Sequence, residues 1–402
     1  AAQRLSTVYM PGQKITMLPD SVVQAFTLCA DRVSPALSMY NEVDCTTLEI
    51  LGHESRVERI HIAANLRHDT LEPLFNEETL AAGRLDYPYA AELTLLWNLV
   101  QKLEAARGKP SDNSTQQVDY NFHVESEELV MEPLAIRLGG QATPAKSLVM
   151  AGHPNDRVTI SQRRRGSPID KVVSELMILV NSEWGKHLAE HGFVGIYRTQ
   201  QNGKVRMSTV AAPHQGLGVA QYMWSSSPLR RYVDLLNQRQ IIAMLRDEEP
   251  PYPKNDTALY AAMRDFDTMY TIYNDFQRHM ERYWCLRWLQ QEQSKVDALS
   301  PSSDETTSHS ARLSKVDSQA AGYLPQAGER DKDSLRELLV DAVVLRENLV
   351  KVASIPLIFR APSLPELPAN TRVQLAIVSV DLLDLDVQTR FVATVEEEAA
   401  VC

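Results

Sequence analysis

The chain of 402 residues is poor in cysteine and contains no long hydrophobic run. Its four cysteines show neither a Cys-x-x-Cys pair nor zinc-site spacing, which indicates a reducing, cytoplasmic environment. No stretch of about 18 apolar residues exists, so the sequence predicts no membrane-spanning helix, and no signal peptide is recognisable. The formal net charge of −11 argues against a general nucleic-acid binder, although a local basic field can outweigh the sum.

Hydrophobic residues make up 44% of the chain, enough for a sizeable core in two or three domains. Helical and alternating apolar patterns both occur, so the sequence predicts an α+β fold. The predicted elements are strands within 1–60, helices at 70–82, 87–107 and 169–191, strands in 120–160 and at 194–198, two packed helices in 255–293, and a small OB-type β-barrel from 335 onward.

Composition also suggests how the chain is divided. Residues 301–333 are dominated by Ser, Asp, Glu, Lys and Gln, which is typical of a flexible linker or insertion. The chain begins at Ala1 rather than Met and patterned sequence follows at once, so we expect its true start to lie upstream. We predict a mixed-sheet domain at 1–295 with a helical extension at 255–295, a linker at 296–334, a barrel at 335–396 and a tail at 397–402.

An arginine pair stands at the start of a predicted helix. Ser227 suits the N-cap, and Pro228 suits the first helical position, where its missing N–H costs nothing. This places Arg230 and Arg231 in the first turn, although the helix dipole favours anions there. Two interpretations are open: an exposed arginine pair on an ordinary helix, or a phosphate-binding site.

The residue pattern of this stretch favours the phosphate-binding site. Residues 227–239 resemble the SPxRRYxDLxxHR signature of the RNase II/RNase R family, whose members degrade RNA from its 3′ end. The resemblance implies that Arg230 holds the scissile phosphate, and Asp234 and Arg239 also match the signature. Gln238 stands where the family usually has His, so any function of that His is absent.

A second segment carries the same resemblance. An arginine run that includes Arg163 and Arg165 precedes a helix containing Glu175, and on its own such a run is either a solvated strand end or an RNA contact. The segment resembles the family helix that lines a channel for single-stranded RNA, followed by a strand that here contains Tyr197 and Arg198. The resemblance implies that Glu175 lies near the terminal nucleotide.

The segment from His187 to His191 matches the HxxEH pattern of zinc peptidases, because a helix would put both histidines and Glu190 on one face. The helix ends immediately afterwards at Gly192, where histidine is also favoured by the dipole. No obvious third ligand follows, so a helix-terminal role is the alternative to zinc chemistry.

Two further positions depart from the family. His68 lies where the family commonly has a Tyr that stacks on the last base; a His can stack less well, or it can be an ordinary surface residue. Gln277 falls near a family Glu that supports the catalytic arginine. The glycines Gly216 and Gly218 match a family segment, and we interpret them as sites of close backbone packing rather than a phosphate loop.

The resemblance also implies Mg²⁺ as cofactor, held by a DxxxxxDD carboxylate cluster upstream of the segment that matches Tyr9-Met10-Pro11. The sequence contains no adjacent pair of aspartates, so we predict no metal ligands in this chain. Phosphodiester hydrolysis with Mg²⁺ needs several converging carboxylates, and we expect these to lie outside residues 1–402.

Two functions remain open. The first is a processive 3′ to 5′ exoribonuclease that hydrolyses single-stranded RNA to nucleoside 5′-monophosphates, with no membrane association. The second is a family member that lost catalysis and kept the RNA channel, which the substitutions at His68, Gln238 and Gln277 favour. We prefer the enzyme because Arg230 and Glu175 lie in intact motifs. The resemblance assigns catalysis to Arg230 and Glu175, and RNA binding to His68, Arg163, Arg165, Tyr197, Arg198, Ser227, Arg231 and Arg239.

Overall fold

The computed structural model describes residues 1–108, 118–125, 156–298 and 337–395. Helices and strands are mixed along these residues, which confirms the predicted α+β class. The helices are α1 (Asp20–Phe26), α2 (His68–Leu71), α3 (Glu77–Ala81), α4 (Ala90–Ala106), α5 (Pro168–Glu190), α6 (Tyr232–Leu245) and α7 (Thr257–Ala298). The strands are β1 (Val8–Met10), β2 (Gln13–Ile15), β3 (Arg32–Val43), β4 (Ile50–Ile62), β5 (Val118–Glu125), β6 (Arg157–Arg164), β7 (Tyr197–Gln201), β8 (Lys204–Ser208), β9 (Leu339–Arg346), β10 (Leu349–Val352), β11 (Ile358–Arg360), β12 (Arg372–Asp381) and β13 (Asp386–Thr394).

The chain folds as two compact units, each assembled from two stretches of sequence. Helix α7 supplies residues to both units, so the predicted domain boundary at 295 lies inside the second one. Most of the predicted linker and all of the predicted tail fall outside the described residues, as do 126–155. The first unit comprises 1–119 and 162–278, and the second comprises 120–161 and 279–402.

A long antiparallel hairpin of β3 and β4 dominates the N-terminal part of the first unit. Its register pairs Arg32 with Ile62 at the open end, and a bulge follows Glu42 near the turn. The strands extend well beyond the short apolar alternation visible in the sequence, and about half of their residues are exposed. One face of the hairpin packs through Leu37 and Met39 onto a core that includes residues of α5.

Helix α5 forms as predicted. The Ser167 side chain accepts a hydrogen bond from Asp170 N at 3.4 Å, and Pro168 occupies the first helical position. These are the favoured residues for a helix start. Val172 and Leu188 are buried on its inner face, and Gly192 follows the helix with a positive φ of 74°.

Helix α6 starts later than predicted. The sequence placed Ser227 at the N-cap, but the helix begins at Tyr232, and residues 228–230 form a turn in which Arg230 N and Arg231 N both donate to Ser227 O at 3.1 Å. The cause is long-range: Arg231 is extended, with φ −134° and ψ 128°, and bridges Ser6 in antiparallel fashion. An extended residue cannot belong to the first helical turn.

The prediction of two packed helices in 255–293 is wrong. Helix α7 is continuous over 42 residues from Thr257 to Ala298. It contains neither Gly nor Pro, so nothing in its sequence stops the backbone hydrogen-bond ladder. Despite its length it is too polar to cross a membrane, and none of the other helices in the described part of the chain could do so.

The second unit contains a five-stranded antiparallel sheet in the order β11-β10-β9-β12-β13. Register shifts interrupt the β9–β10 and β12–β13 pairs, and such bulges bend and twist a sheet. The curled sheet fits the OB-type fold that the sequence predicted. Its buried face packs on residues of α7, and the shared core consists of Cys285, Leu286, Leu289, Val340, Val344, Val350, Val373 and Leu375, among others.

Candidate functional site

Helix α5 holds the segment that precedes the arginine pair. Asn181, only 1% exposed, accepts hydrogen bonds from Ser225 N at 3.0 Å and from Ser225 Oγ at 2.6 Å. Its amide nitrogen donates to Ser226 Oγ at 3.1 Å. One buried amide therefore fixes both the backbone and the side chains of this segment.

Helix α6 holds the same segment from another side. Asp234 accepts a hydrogen bond from Ser227 N at 2.8 Å, and Asn237 donates to Trp224 O at 2.8 Å. Gln238, which replaces the family His, donates to Ser225 O at 2.7 Å. The first turns of α6 thus serve as a polar clamp on residues 224–227.

Residues near the N-terminus complete the anchoring of Arg230. Its carbonyl oxygen accepts hydrogen bonds from Thr7 N at 2.9 Å and from Ser6 Oγ at 3.1 Å. The side chain of Arg230 is exposed, and its guanidinium forms no hydrogen bond or ion pair with another described residue. The structure therefore presents an uncommitted cation on an immobilised backbone.

Arg231 has a different environment from the one predicted. It is 7% exposed, and its guanidinium donates from Nε and Nη2 to the two oxygens of Asp234 at 2.8 and 2.7 Å. Asp234 is fully buried; this burial raises the pKa of its carboxyl, and the Arg231 charge opposes that rise. The predicted RNA contact of Arg231 does not agree with this internal ion pair.

The ring of Trp224 contacts two of the arginines that were predicted to bind RNA. The guanidinium carbons of Arg198 and Arg231 each lie 4.1 Å from the centroid of its ring. Tyr270 contacts the same ring edge-on at 5.5 Å. Burial lowers the pKa of the half-buried Arg198, and cation–π contact offsets part of the cost of burying an arginine.

Tyr197 is a core residue rather than an RNA contact. It is 2% exposed, and its hydroxyl donates to Gly185 O at 2.9 Å. Burial raises its pKa to about 12. The prediction of RNA binding for this side chain therefore disagrees with the structure, because the strand turns it inward while its neighbour Arg198 reaches Trp224.

Glu175 already has a protein partner. It is buried, and Arg107 at the end of α4 donates from Nε and Nη2 to both of its carboxylate oxygens. The same guanidinium also donates to Leu217 O. Gly218 adopts a positive φ of 68°, and a Cβ there would collide with the carbonyl of Arg107, as close backbone packing requires. The predicted catalytic carboxylate thus anchors the 214–218 loop.

His68 and Arg163 come together at the start of α5. Arg163 Nη2 donates to Asp170 Oδ1 at 2.5 Å, and His68 Nε2 lies 3.0 Å from the same oxygen. Burial tends to raise the pKa of Asp170, but the Arg163 guanidinium outweighs it and the net shift is downward. Asp170 and Asn181 lie three helical turns apart on one face of α5, about 16 Å along its axis.

The other predicted contacts lie apart from these groups. Arg165 is exposed and pairs with Asp119 at 3.1 Å. Arg239 is exposed on α6 and donates to the Tyr252 hydroxyl at 2.6 Å. Ser227 contributes its backbone N–H to Asp234 and its carbonyl to the turn, rather than capping the helix.

A further cluster was not predicted. His53 Nε2 lies 3.3 Å from Glu183 Oε2, and the rings of His53 and His187 are 5.3 Å apart. Burial and then the neighbouring His53 lower the pKa of His187. Of the HxxEH pattern only His187 takes part, whereas the exposed His191 contacts the carbonyl of His187 at 2.8 Å. No sequence signal connects His53 with α5.

These residues do not fit the expected Mg²⁺ site. Among the described residues, His53, Glu183 and His187 form the one group of three possible metal ligands within reach of each other. Mg²⁺ prefers an octahedral shell of oxygen atoms, whereas two of these ligands are imidazoles. No converging set of carboxylates accompanies Arg230 in the described part of the chain.

The sequence of the chain matches one family of known proteins. The family model described as the RNB domain matches residues 1–208 and 203–247. The chain belongs to the RNB domain family. Exoribonuclease 2 of Cronobacter sakazakii is 24% identical over 293 residues, which cover 66% of this chain and 45% of that protein. The chain thus spans about half the length of the curated relatives it matches.

Solved structures show the same fold. RNase R of Mycoplasma genitalium in complex with ribose-methylated single-stranded RNA superposes with a TM-score of 0.62 at 11% identity, covering 97% of this chain and 63% of that one. Yeast Ssd1, described as a pseudonuclease, superposes with a TM-score of 0.55 at 14% identity, covering 94% and 46%. At these identities the likeness concerns the fold alone.

Proposed function

We propose that the chain is part of a hydrolytic exoribonuclease of RNase II type. It would degrade single-stranded RNA processively from the 3′ end and release nucleoside 5′-monophosphates. The observation that carries this proposal is the difference between the two adjacent arginines. Arg231 forms an internal ion pair with Asp234. Arg230 is exposed, and its backbone is anchored by hydrogen bonds with Ser6, Thr7 and Ser227.

Such an arginine suits phosphate chemistry. A guanidinium can donate two parallel hydrogen bonds to phosphate oxygens. When its backbone is already fixed, less entropy is lost on positioning it against developing charge. Arg230 would steady the scissile phosphate in this way. Arg163, whose side chain is 27% exposed beside its partner Asp170, would contact the RNA strand elsewhere.

We assign Glu175 a positioning role in this proposal. Its carboxylate is occupied by Arg107, which in turn holds the Leu217 carbonyl. It would therefore act by fixing the 214–218 loop rather than by touching the terminal nucleotide. Mg²⁺ remains the proposed cofactor of the whole enzyme, and its carboxylate ligands would lie outside residues 1–402.

A noncatalytic RNA-binding protein is the second candidate. The likeness to a described pseudonuclease supports it, as does the use of Gln238 as a backbone clamp in place of the family His. Under this alternative Arg230 would hold a phosphate without cleaving the chain.

The test is an assay of the full-length natural protein on a 5′-labelled single-stranded oligonucleotide with Mg²⁺. An exonuclease of this type shortens the labelled strand from its 3′ end and releases nucleoside 5′-monophosphates. Tight binding without product at enzyme excess over hours would support the noncatalytic protein. Cleavage inside the oligonucleotide would contradict both candidates.

A further inference from the structure

Two histidines and a glutamate come together where the β3–β4 hairpin packs on α5. Glu183 and His187 are four residues apart on α5, so they share one face of the helix. His53 projects from β4 toward them. Ligand atoms of all three side chains lie within 4.8 Å of one another, close enough for small side-chain movements to bring them around a single ion.

Two oxygen atoms at this place lack a hydrogen-bond partner. Glu183 Oε2 is buried and unsatisfied; His53 Nε2 lies 3.3 Å away but is not aligned for a hydrogen bond. Asn41 pairs directly with His53 across the hairpin, and its Oδ1 is also buried and unsatisfied. Buried polar atoms are nearly always satisfied, so each such atom requires an explanation.

The two elements that supply these side chains are held together beside the cluster. Trp184 Nε1 donates to Ser55 Oγ at 2.9 Å. Ser55 is two residues after His53, on the same face of β4, and Trp184 directly follows Glu183. Trp184 is 3% exposed, so the contact is packed and rigid. Sites on rigid elements hold ligand geometry better than sites on loops.

We propose that His53, Glu183 and His187 bind a divalent transition metal ion, with Zn²⁺ as the best match. Two imidazoles and one carboxylate are a known zinc ligand set that leaves a fourth position open. The partly exposed edge of the cluster allows water to fill that position, because the side chains of His53 and Glu183 are 26% and 20% exposed. The bound ion would fasten the hairpin to α5.

The proposal differs from the HxxEH interpretation of the sequence. That pattern would use His187, His191 and the intervening Glu190. In the structure His191 lies at the helix end and contacts a backbone carbonyl. The two ligand sets share only His187, so substitutions at the other positions separate them.

The experiment is a titration of the metal-free 1–402 polypeptide with Zn²⁺ in competition with a chromogenic chelator. Its accessible cysteines, including the exposed Cys29 and Cys45, are first alkylated so that they cannot bind the ion. We expect one Zn²⁺ per chain and a rise in the melting temperature that Mg²⁺ does not reproduce. His53→Gln, Glu183→Gln and His187→Gln should each weaken binding by more than about tenfold, or 1.4 kcal/mol.

The matched controls are His191→Gln and Glu190→Gln, which should bind Zn²⁺ as the parent does. Glu183→Gln keeps the shape of the side chain, and circular dichroism of each metal-free variant shows whether it has folded. Absence of saturable binding by the parent overturns the proposal. So does a loss of binding in His191→Gln that leaves His53→Gln unaffected, which would instead identify the HxxEH pair.

Discussion

Arg231 and Asp234, three residues apart, form a bidentate ion pair inside the protein. Arg231 directly follows the exposed Arg230 in the chain. The sequence presents two adjacent arginines of equal appearance. In the structure their environments differ: Arg231 neutralises a buried carboxylate that also accepts a hydrogen bond from Ser227 N, whereas Arg230 is exposed and has no ion-pair partner among the described residues.

The first prediction follows from this division and concerns stability. Arg231→Ala should lower the free energy of unfolding by about 3–5 kcal/mol, because it leaves the Asp234 carboxylate buried without its partner. Arg230→Ala should change it by no more than about 0.5 kcal/mol, as expected for an exposed side chain. Urea denaturation of the 1–402 polypeptide measures both. Equal stability of the two variants would contradict the structural role of Arg231.

Local sequence patterns explain which elements could be predicted. Helix α5 carries its own signals in Ser167, Pro168 and a regular apolar face, so its position follows from the sequence. The start of α6 could not be predicted, because the extended backbone of Arg231 depends on a bridge to Ser6, far away in sequence. A good N-cap at Ser227 is overruled by that tertiary contact.

The candidate site shows the same limit. The RNase II/RNase R signature identified Arg230 as a candidate. The burial of Tyr197 and Arg231 could not be predicted, because it depends on which side of a strand or turn faces the core. The pairing of Glu175 with Arg107 joins two helices and has no sequence signature. His53 lies on a hairpin of which about half the residues are exposed, and only folding brings it to Glu183 and His187.

The second prediction concerns the isolated 1–402 polypeptide. It should bind single-stranded RNA weakly and should not degrade it with Mg²⁺ present, because its described residues offer no converging carboxylates. Fluorescence anisotropy and a gel assay on the same oligonucleotide test the two parts. Efficient release of mononucleotides by this polypeptide would show that the catalytic ligands lie within it.

The third prediction concerns the OB-type sheet, which should contribute little to RNA affinity. Single strands bind such folds through stacking aromatics and a basic groove. Of the aromatics in the described residues 337–395, Phe359 is 3% exposed and Phe391 is partly buried. Substituting the exposed Arg346 and Arg360 together by Ala should weaken binding by the full-length protein less than about tenfold.

Point substitutions are preferable here to deletion of 335–402. Cys285, Leu286 and Leu289 of α7 are buried in the same core as the sheet, so removing the sheet would uncover them. A loss of affinity above about a hundredfold, or 2.8 kcal/mol, in the double variant would show that the sheet is a main RNA-binding surface.

The fourth prediction concerns pH. The pKa of Asp170 is lowered in the folded protein, so its contribution to stability is present above the unfolded value of about 3.9 and is lost as pH falls through the folded value. Asp170→Asn should therefore be less stable than the parent at neutral pH, and the difference should shrink below about pH 4. Urea midpoints between pH 3 and 7 test this, and a difference independent of pH would contradict it.

The last prediction concerns turnover by the full-length protein. Arg230→Ala should reduce the single-turnover rate by about a hundredfold to a thousandfold, the loss typical of one positioned donor at developing charge. RNA affinity should fall less than about tenfold, because binding in a channel is spread over many contacts. Arg230→Lys should also be slow, since an ammonium cannot reproduce the two parallel hydrogen bonds of a guanidinium.

The control for this prediction is Arg246→Ala, which removes an exposed arginine at the end of α6, away from the clamped segment. It should match the parent in rate and affinity. Arg231→Ala is not a suitable control, because any loss of rate there would reflect loss of the Asp234 ion pair and is expected to accompany a lower melting temperature. If Arg230→Ala lost binding and rate equally while remaining folded, the side chain would act in ground-state RNA binding, and the scissile phosphate would have to be held by another residue.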